Sequence, residues 1–407
     1  MTTVANMREL IKRSMTAVVN IRELITRNLR SSGIVVAFVL IVALFSLLTD
    51  GLLLSPRNMT NLVLQYSYIL ILAIGMVIVI VAGHIDLSVG SVVALTGAVS
   101  AVVVIQNGQS WWVGVLAAIG TGLLVGAWQG FWVAYVGIPA FIVTLAGMLL
   151  FRGLTYNVLN NVSLSPFPGE YNTIATGFVP ALLGGHGYDA FTLLIFAIAI
   201  IGYAVSQWRT RRARIAYQQD VESMALFVVK LAVIAAVVMW FAYQIATYRG
   251  LPVVLIVLAV LILAYTMVTK HSIFGRHVYA IGGNLSAAQL SGVRVKRVNF
   301  LIFLNMGFLA ALAGIVFSAR STGAQPGAGN MFELDAIAAC FIGGAAVTGG
   351  VGTVAGAMVG GLIMAVMSNG MQLMGVDQST QQVVKGVVLL LAVAFDIWNK
   401  KRASAAR

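Results

Sequence analysis

The sequence predicts an all-α, polytopic integral membrane protein of about 10–12 transmembrane helices, with an inverted repeat and both termini cytoplasmic. Three observations carry this reading. Of 407 residues, 60% are apolar and only 9% charged, and the mean hydropathy is +0.97, whereas a soluble fold typically carries about a quarter charged residues. The apolar residues fall into runs close to the ~20 needed to cross hydrocarbon as a helix. The basic residues gather in a few short patches, the pattern of loops on the cytoplasmic side.

Taken in order, residues 1–32 form a basic segment with six of the 25 Lys and Arg. It repeats "NMRELI" (6–11) as "NIRELI" (20–25), a 14-residue offset that returns to nearly the same face of a helix. Apolar residues on one side and Arg on the other suggest a helix lying on the inner membrane surface; a disordered basic leader is the alternative. It does not read as a secretory signal, because the first long apolar run starts only near Gly33. Spans are expected near 33–49, 63–82, 87–105, 112–136, 138–158, 190–208, 226–247, 251–269, 299–320, 333–350, 353–374 and 379–398, with some glycine-rich stretches as half-spans. Residues 33–398 are thus one transmembrane domain, holding a polar loop at 270–298, and 399–407 form a basic cytoplasmic tail. Further base patches lie at 209–214, 270–297 and after Asn399. With these inside, Asp50, Glu170, Asp189, Glu333 and Asp377 fall outside. The net charge of +13 therefore reports topology and contact with lipid headgroups rather than nucleic acid.

"IDLSVGSVVALTGA" (85–98) is echoed by "FELDAIAACFIGGA" (332–345), each an acid followed by small residues entering a span. Glycines then recur at i, i+4, i+8: Gly122, Gly126 and Gly130, and again Gly352, Gly356 and Gly360. Such stripes let helix backbones approach closely. Seven spans separate the two acids, an odd number, so the copies are expected to point in opposite directions. Their unequal spacing to the stripes means one copy has gained or lost a segment.

The chemistry of enzymes is not encoded. No Walker loop, dinucleotide fingerprint, catalytic triad, metal cluster or cofactor motif is found, and with one Cys and four His a disulfide framework is excluded. Charge at the bilayer centre costs about 2.5–3.5 kcal/mol on insertion scales, and Asp86, Glu333, Asp377 and Asp396 fall at span ends, with Lys230 and Lys385 within snorkelling reach of a face. Neither ATP hydrolysis nor ion coupling is visible. Polar groups inside spans (Ser91, Thr144, Asn305 and Asn369) read first as interhelical hydrogen-bonding groups and second as a translocation path. Trp128, with Trp132 and Tyr135 on the same face, reads as packing or as a surface on which a sugar ring stacks.

One polar stretch is over-built for a loop. In "FGRHVYAIGGNLSAAQLSGVRVKRV" (274–298), Asn284 suits an N-cap, "LSAAQLS" two helical turns, and Gly292 the C′ position. The result is a rod of about 10 Å at 1.5 Å per residue, with small Ala287 and Ala288 on its faces and bases on both flanks. Such a rod suits an external motor that pushes on a membrane body; an ordinary topology loop is the alternative.

Four stretches resemble permeases of the ribose, galactose, arabinose and xylose class of bacterial ATP-binding-cassette sugar importers. They are "GHIDLSVGSVVALTG" (83–97), "FWVAYVGIPAFIVTLAGMLLFRGL" (131–154), "FGRHVYAIGGNLSAAQLSGV" (274–293) and "ELDAIAACFIGGAAVTGGVGTVAGA" (333–357). The likeness runs from about 33 to 400. The longer centre, about 160–250, resembles xylose and multiple-sugar permeases most, and the "RELI" duplication has no counterpart. The resemblance implies a multi-pass protein of the bacterial inner membrane, without catalytic residues of its own. Its implied partners are a cytoplasmic ABC ATPase subunit, a periplasmic sugar-binding protein and a second permease copy. It also implies that 274–293 meets the ATPase through Gly275, Arg276, Gly282, Gly283, Asn284, Ala287, Ala288 and Gly292. A secondary sugar carrier, or a permease for a nucleoside or branched-chain amino acid, is the competing expectation.

Overall fold

The computed structural model describes residues 29–405 and contains α-helices joined by short connections. The helices are α1 (Leu29–Leu48), α2 (Pro56–Val81), α3 (Val89–Ala101), α4 (Trp111–Phe131), α5 (Ala140–Val158), α6 (Gly169–Thr176), α7 (Ala190–Ala216) and α8 (Met224–Ala246). They continue as α9 (Val253–His271), α10 (Ile273–Gly283), α11 (Leu285–Leu290), α12 (Val295–Ser321), α13 (Phe332–Ile342), α14 (Val354–Leu373) and α15 (Gln378–Ala405). The duplicated "RELI" segment lies outside the described residues. Among those described, nine helices are long and apolar enough to cross a bilayer, and Gly33–Leu48 of α1 is a shorter apolar helix. The chain is a polytopic all-α membrane protein.

One expected span is cut short. The run 333–350 begins as a helix, but α13 ends at Ile342 after 11 residues, and the chain continues without regular structure to Thr353. Gly344, Gly349, Gly350 and Gly352 all take positive φ there, a region open to glycine and costly for other residues. Non-helical backbone at such a place survives only where protein satisfies it. The amide of Gly350 donates to Val81 O at 2.8 Å, and that of Ala346 to Val351 O at 2.8 Å.

From Ile69 to Val81 α2 is apolar on every face, and the helix is 89% buried along its apolar window, as a helix without a polar side must be. The longest packing relationships form two matching sets. α12 runs antiparallel to α4, with Gly122 against Gly307, Gly126 against Phe303 O and Gly130 against Phe300 O. It runs parallel to α3, with Gly314 against Val93 O and Gly97 against Ser318. α2 repeats the arrangement on the other half of the chain. It lies antiparallel to α14, with Asn58 bonded to Asn369 and Leu70 against Gly361. It lies parallel to α13, with Tyr68 on Phe332 and Cys340 Sγ donating to Ala73 O. Each long helix therefore packs on the short helix and the following helix of the opposite half. α2 and α12 themselves run antiparallel, with Tyr68 on Phe317 and Gly75 against Met306, so the halves are related as an interlocked inverted repeat.

The glycine stripes do different jobs in the two halves. Gly122, Gly126 and Gly130 admit α12, whereas Gly356 and Gly360 admit Ala339 of α13 and Gly343 just after it. Gly352 is not on a helix at all: α14 begins after Thr353, whose side chain accepts from the amide of Gly356. The stripes are thus not equivalent positions, which explains their unequal distance from the two acids.

α7 and α8 pair with each other at the periphery, each only 6% buried along its apolar window. Residues 159–189 hold a wedge: α6 buries Tyr171 completely. Its hydroxyl lies 3.0 Å from Ser100 Oγ on α3 and 3.0 Å from Ser318 Oγ on α12.

Candidate functional site

The two segments of the sequence echo meet inside the bundle. Gly90, at the start of α3, stands against Gly329 and the carboxylate of Glu333, at the start of α13. Asp86 is 1% exposed and Glu333 is 8% exposed, so both are buried, not solvated span ends. Asp86 Oδ1 accepts from the amide of Ser88 at 2.9 Å and from its hydroxyl at 2.6 Å. Gln129 Nε2 on α4 donates to the same hydroxyl at 2.5 Å. Arg152 reaches from α5 to donate to Ala328 O. A carboxylate at a helix N-terminus is favoured by the dipole and by free amides. These groups surround the crossing between the starts of α3 and α13.

A cavity of about 570 Å³, lined by both polar and apolar side chains, opens beside α13. Its walls are α2, α13, α14 and α15. Gln65, Gln372, Gln378, Gln381 and Gln382 supply amides; Tyr66, Tyr68 and Phe332 supply aromatic surface. Gln65 Nε2 donates to Gln372 Oε1 at 3.0 Å. Across the cavity, Lys385 Nζ on α15 donates to both oxygens of Asp335 on α13, at 3.0 and 3.1 Å. Their side chains are 24% and 19% exposed. Lys385 is therefore held in an ion pair, and does not snorkel to a face.

The polar loop lies at the other end of α2 and α13. It holds two helices, not one: α10 precedes the short α11, and Ser272 caps it by accepting from the amide of Gly275 at 2.9 Å. Asn284 Oδ1 accepts from the amide of Ala287 at 2.9 Å, the cap that its spacing predicts. Gly292 closes the turn at φ 82°. Gly275 packs on the carbonyls of Val268 and Thr269, and Gly282 on Val81 O and Gly350 N. Tyr279 Oη donates to Gly352 O at 2.6 Å. Ala287 and Arg276 are exposed, but Ala288 is buried against the protein's own body and is not free to enter a partner's groove. The large apolar side chains presented outward are Ile273 on α10, and Leu285 and Leu290 on α11, the last 90% exposed.

None of the five polar or aromatic path candidates lines the cavity. Ser91 is fully buried next to Gly90, its hydroxyl without a partner among the described residues. Thr144 donates to Ile85 O at 3.3 Å, Asn305 accepts from Tyr265 Oη, and Asn369 is bonded to Asn58. Trp128 packs edge-on to Trp132 and Phe151. Sequence reasoning missed the cavity's own groups. Asp335 and Lys385 lie 50 residues apart, so no local pattern joins them; the one available signal was the run of glutamines at 378, 381 and 382 opening the last apolar helix.

A family model described as "Branched-chain amino acid transport system / permease component" matches residues 58–393. The xylose transport system permease protein XylH of Haemophilus influenzae is 43% identical over 375 residues, 92% of this chain and 98% of that protein. XylH of Escherichia coli K12 is 41% identical over 376 residues, 92% of this chain and 94% of its own length. The ribose import permease protein RbsC of the same strain is 35% identical over 367 residues, covering 90% and 93% of the two chains. No solved structure matches.

Proposed function

Since the chain belongs to the branched-chain amino acid transport system permease family, we propose that it is the membrane subunit of an ATP-driven importer carrying a monosaccharide, xylose or a close relative. Identity of 43% along 92% of the chain with a xylose permease is the observation that carries this reading. The family match over residues 58–393 takes in the cavity, α3, α13 and the polar loop alike.

The protein is a multi-pass component of the inner membrane. The base patches support a cytoplasmic position for both termini and for the polar loop at 270–298; with that orientation the cavity beside Asp335 and Lys385 faces outward. Residues 33–398 are the permease body, 1–32 a basic segment on the lipid surface and 399–407 a basic tail. An ATPase subunit would seat on α10 and α11, with Leu285, Leu290, Ala287 and Arg276 as its footing. A sugar-binding protein would deliver cargo at the opposite face, and a second copy of the chain would complete the pathway.

The layout gives that ATPase a short mechanical route. The loop 343–353 rests on α10 through Gly282, Gly350 and the Tyr279–Gly352 bond. The other end of α13 carries Phe332 and Asp335 into the cavity wall. Movement of α10 thus reaches the cavity through one rigid 11-residue rod. Small displacements at a packed joint become discrete rearrangements because packed interiors do not deform smoothly.

The test is reconstitution. In vesicles holding the chain with its ATPase and supplied with the binding protein, D-xylose uptake should require ATP. The chain alone should accumulate no sugar. Uphill uptake by the chain alone, driven by an ion gradient, would replace this reading with a secondary carrier.

A further inference from the structure

We propose that Asp335 and Lys385, with Gln65, Gln372 and Gln381 beside them, form a hydroxyl-reading site in the outward cavity, so that the permease itself screens the sugar it passes. The inference rests on the reading of the chain as a sugar permease.

The balance of the lining argues for a neutral polyol. The ionised groups of the cavity wall are one Asp and one Lys, bonded to each other at 3.0 and 3.1 Å. The remaining polar lining is dominated by carboxamides and tyrosines. An anion or cation would face no uncompensated opposite charge there. A sugar hydroxyl both donates and accepts, and so do carboxamides; the ion pair offers the same two functions side by side. Asp335 spends one lone pair of each oxygen on Lys385, leaving others for two vicinal hydroxyls, while Lys385 keeps a further N–H for a sugar oxygen.

The geometry supplies the other half of sugar recognition. Tyr66, Tyr68 and Phe332 give the cavity an aromatic side. Tyr68 is fixed edge-on to Phe317, 5.1 Å between centroids, and against Phe332 at 4.5 Å. A fixed ring offers flat apolar surface to the C–H face of a pyranose without ordering cost. The cavity volume of about 570 Å³ lies in the range of small-molecule sites.

An ion pair removed from water contributes little to stability, because desolvation offsets the attraction. A pair of leucines would hold α13 to α15 as well. The pair's position facing the cavity, in an otherwise neutral wall, is explained by a ligand that it contacts.

The experiment uses the assembled transporter in vesicles, with D-xylose and D-ribose as cargo at saturating binding protein. Asp335→Asn and Lys385→Met should each lower D-xylose turnover by about tenfold or more, the scale of a lost charged hydrogen bond, while ATPase stimulation by the loaded binding protein persists. The exchange Asp335→Lys with Lys385→Asp should regain the wild-type thermal midpoint but not the turnover. Full recovery of turnover by the exchange would reduce the pair to a tether and overturn the inference. Should the single variants not assemble, Gln65→Leu and Gln372→Leu remain, and these should shift the xylose-to-ribose turnover ratio severalfold; an unchanged ratio overturns the inference. A wild-type complex that moves no sugar sinks the parent reading and this site together, whereas a working wild type with indifferent variants sinks this site alone.

Discussion

The backbone amide of Gly350 donates to the carbonyl of Val81 at 2.8 Å, and Gly282 packs into the same junction. Three segments far apart in sequence meet there without an intervening side chain: the end of the central helix α2, the irregular loop after α13, and the last turn of α10. A joint of bare backbone transmits displacement with little slack.

Gly282→Val is therefore expected to damage the joint. Its new carbon would collide with Val81 O and Gly350 N, backbone atoms that cannot rotate away. Overpacking of this kind costs about 1–3 kcal/mol, and ATP-dependent uptake should fall with it. Gly283→Ala is the control, because a Cβ there meets nothing within 4 Å. Thermal midpoint and xylose uptake of the two variants check the contrast; equal behaviour would remove the joint from the mechanism.

Leu290, 90% exposed on α11, should be a contact with the ATPase and not with the chain itself. Leu290→Glu and Ala287→Arg are expected to leave the midpoint of the isolated permease within about 0.5 kcal/mol, as surface changes do. Co-purification of the ATPase should nevertheless be lost. Ala288→Arg should behave differently and destabilise the permease alone, since Ala288 is buried. Pull-down of the ATPase alongside thermal melts separates the two effects.

What was legible in the sequence was what local chemistry decides. Among the described residues, hydropathy located nine of the twelve expected spans, and the spacing from Asn284 to Gly292 located a capped helix. The stripe at Gly122, Gly126 and Gly130 announced a close helix neighbour, though not that α12 was the neighbour. Less legible was what depends on distant partners. The pairing of Asp335 with Lys385 needs the fold to bring α13 to α15, and Asp335 sits in an apolar run where neither hydropathy nor spacing marks it. Ala288 looked free because a six-residue helix has no visible inner face until α10 and α11 are docked. The end of α13 at Ile342 comes with a glycine loop of positive φ, whose Gly350 amide is satisfied by Val81 O, 269 residues away, again a tertiary fact.

The α4–α12 crossing yields a pair of opposite expectations. Gly126→Leu would drive a side chain into Phe303 O at 2.6 Å and Leu304 Cα at 2.9 Å, and should lower stability by about 1–3 kcal/mol or more. Gly120→Ala, on the same helix with open space at its Cβ, should be neutral or stabilising by up to about 1 kcal/mol through helix propensity. Unfolding of the purified protein in detergent by a denaturant series reads both signs.

Asp377 offers a pH-dependent test at the connection between α14 and α15. Hydrogen bonds from the Ser379 hydroxyl, then from the amide and hydroxyl of Thr380, hold its carboxyl well below its ordinary value of 3.8. The amide bond is 2.9 Å and the Thr380 hydroxyl bond 2.8 Å, a cap on the first turn of α15. A carboxylate depressed in the folded state stabilises fully above its unfolded pKa and loses that contribution as pH falls through the folded one. The cap should thus be intact at pH 7 and weaken below about pH 4. Asp377→Asn keeps the oxygen but loses the charge that strengthens these bonds. Amide exchange at residues 380–382 should be faster in the variant than in the wild type at pH 7, and the ratio should shrink steadily as the pH is taken below 4. A ratio that stays constant with pH would mean that the charge contributes nothing to the start of α15.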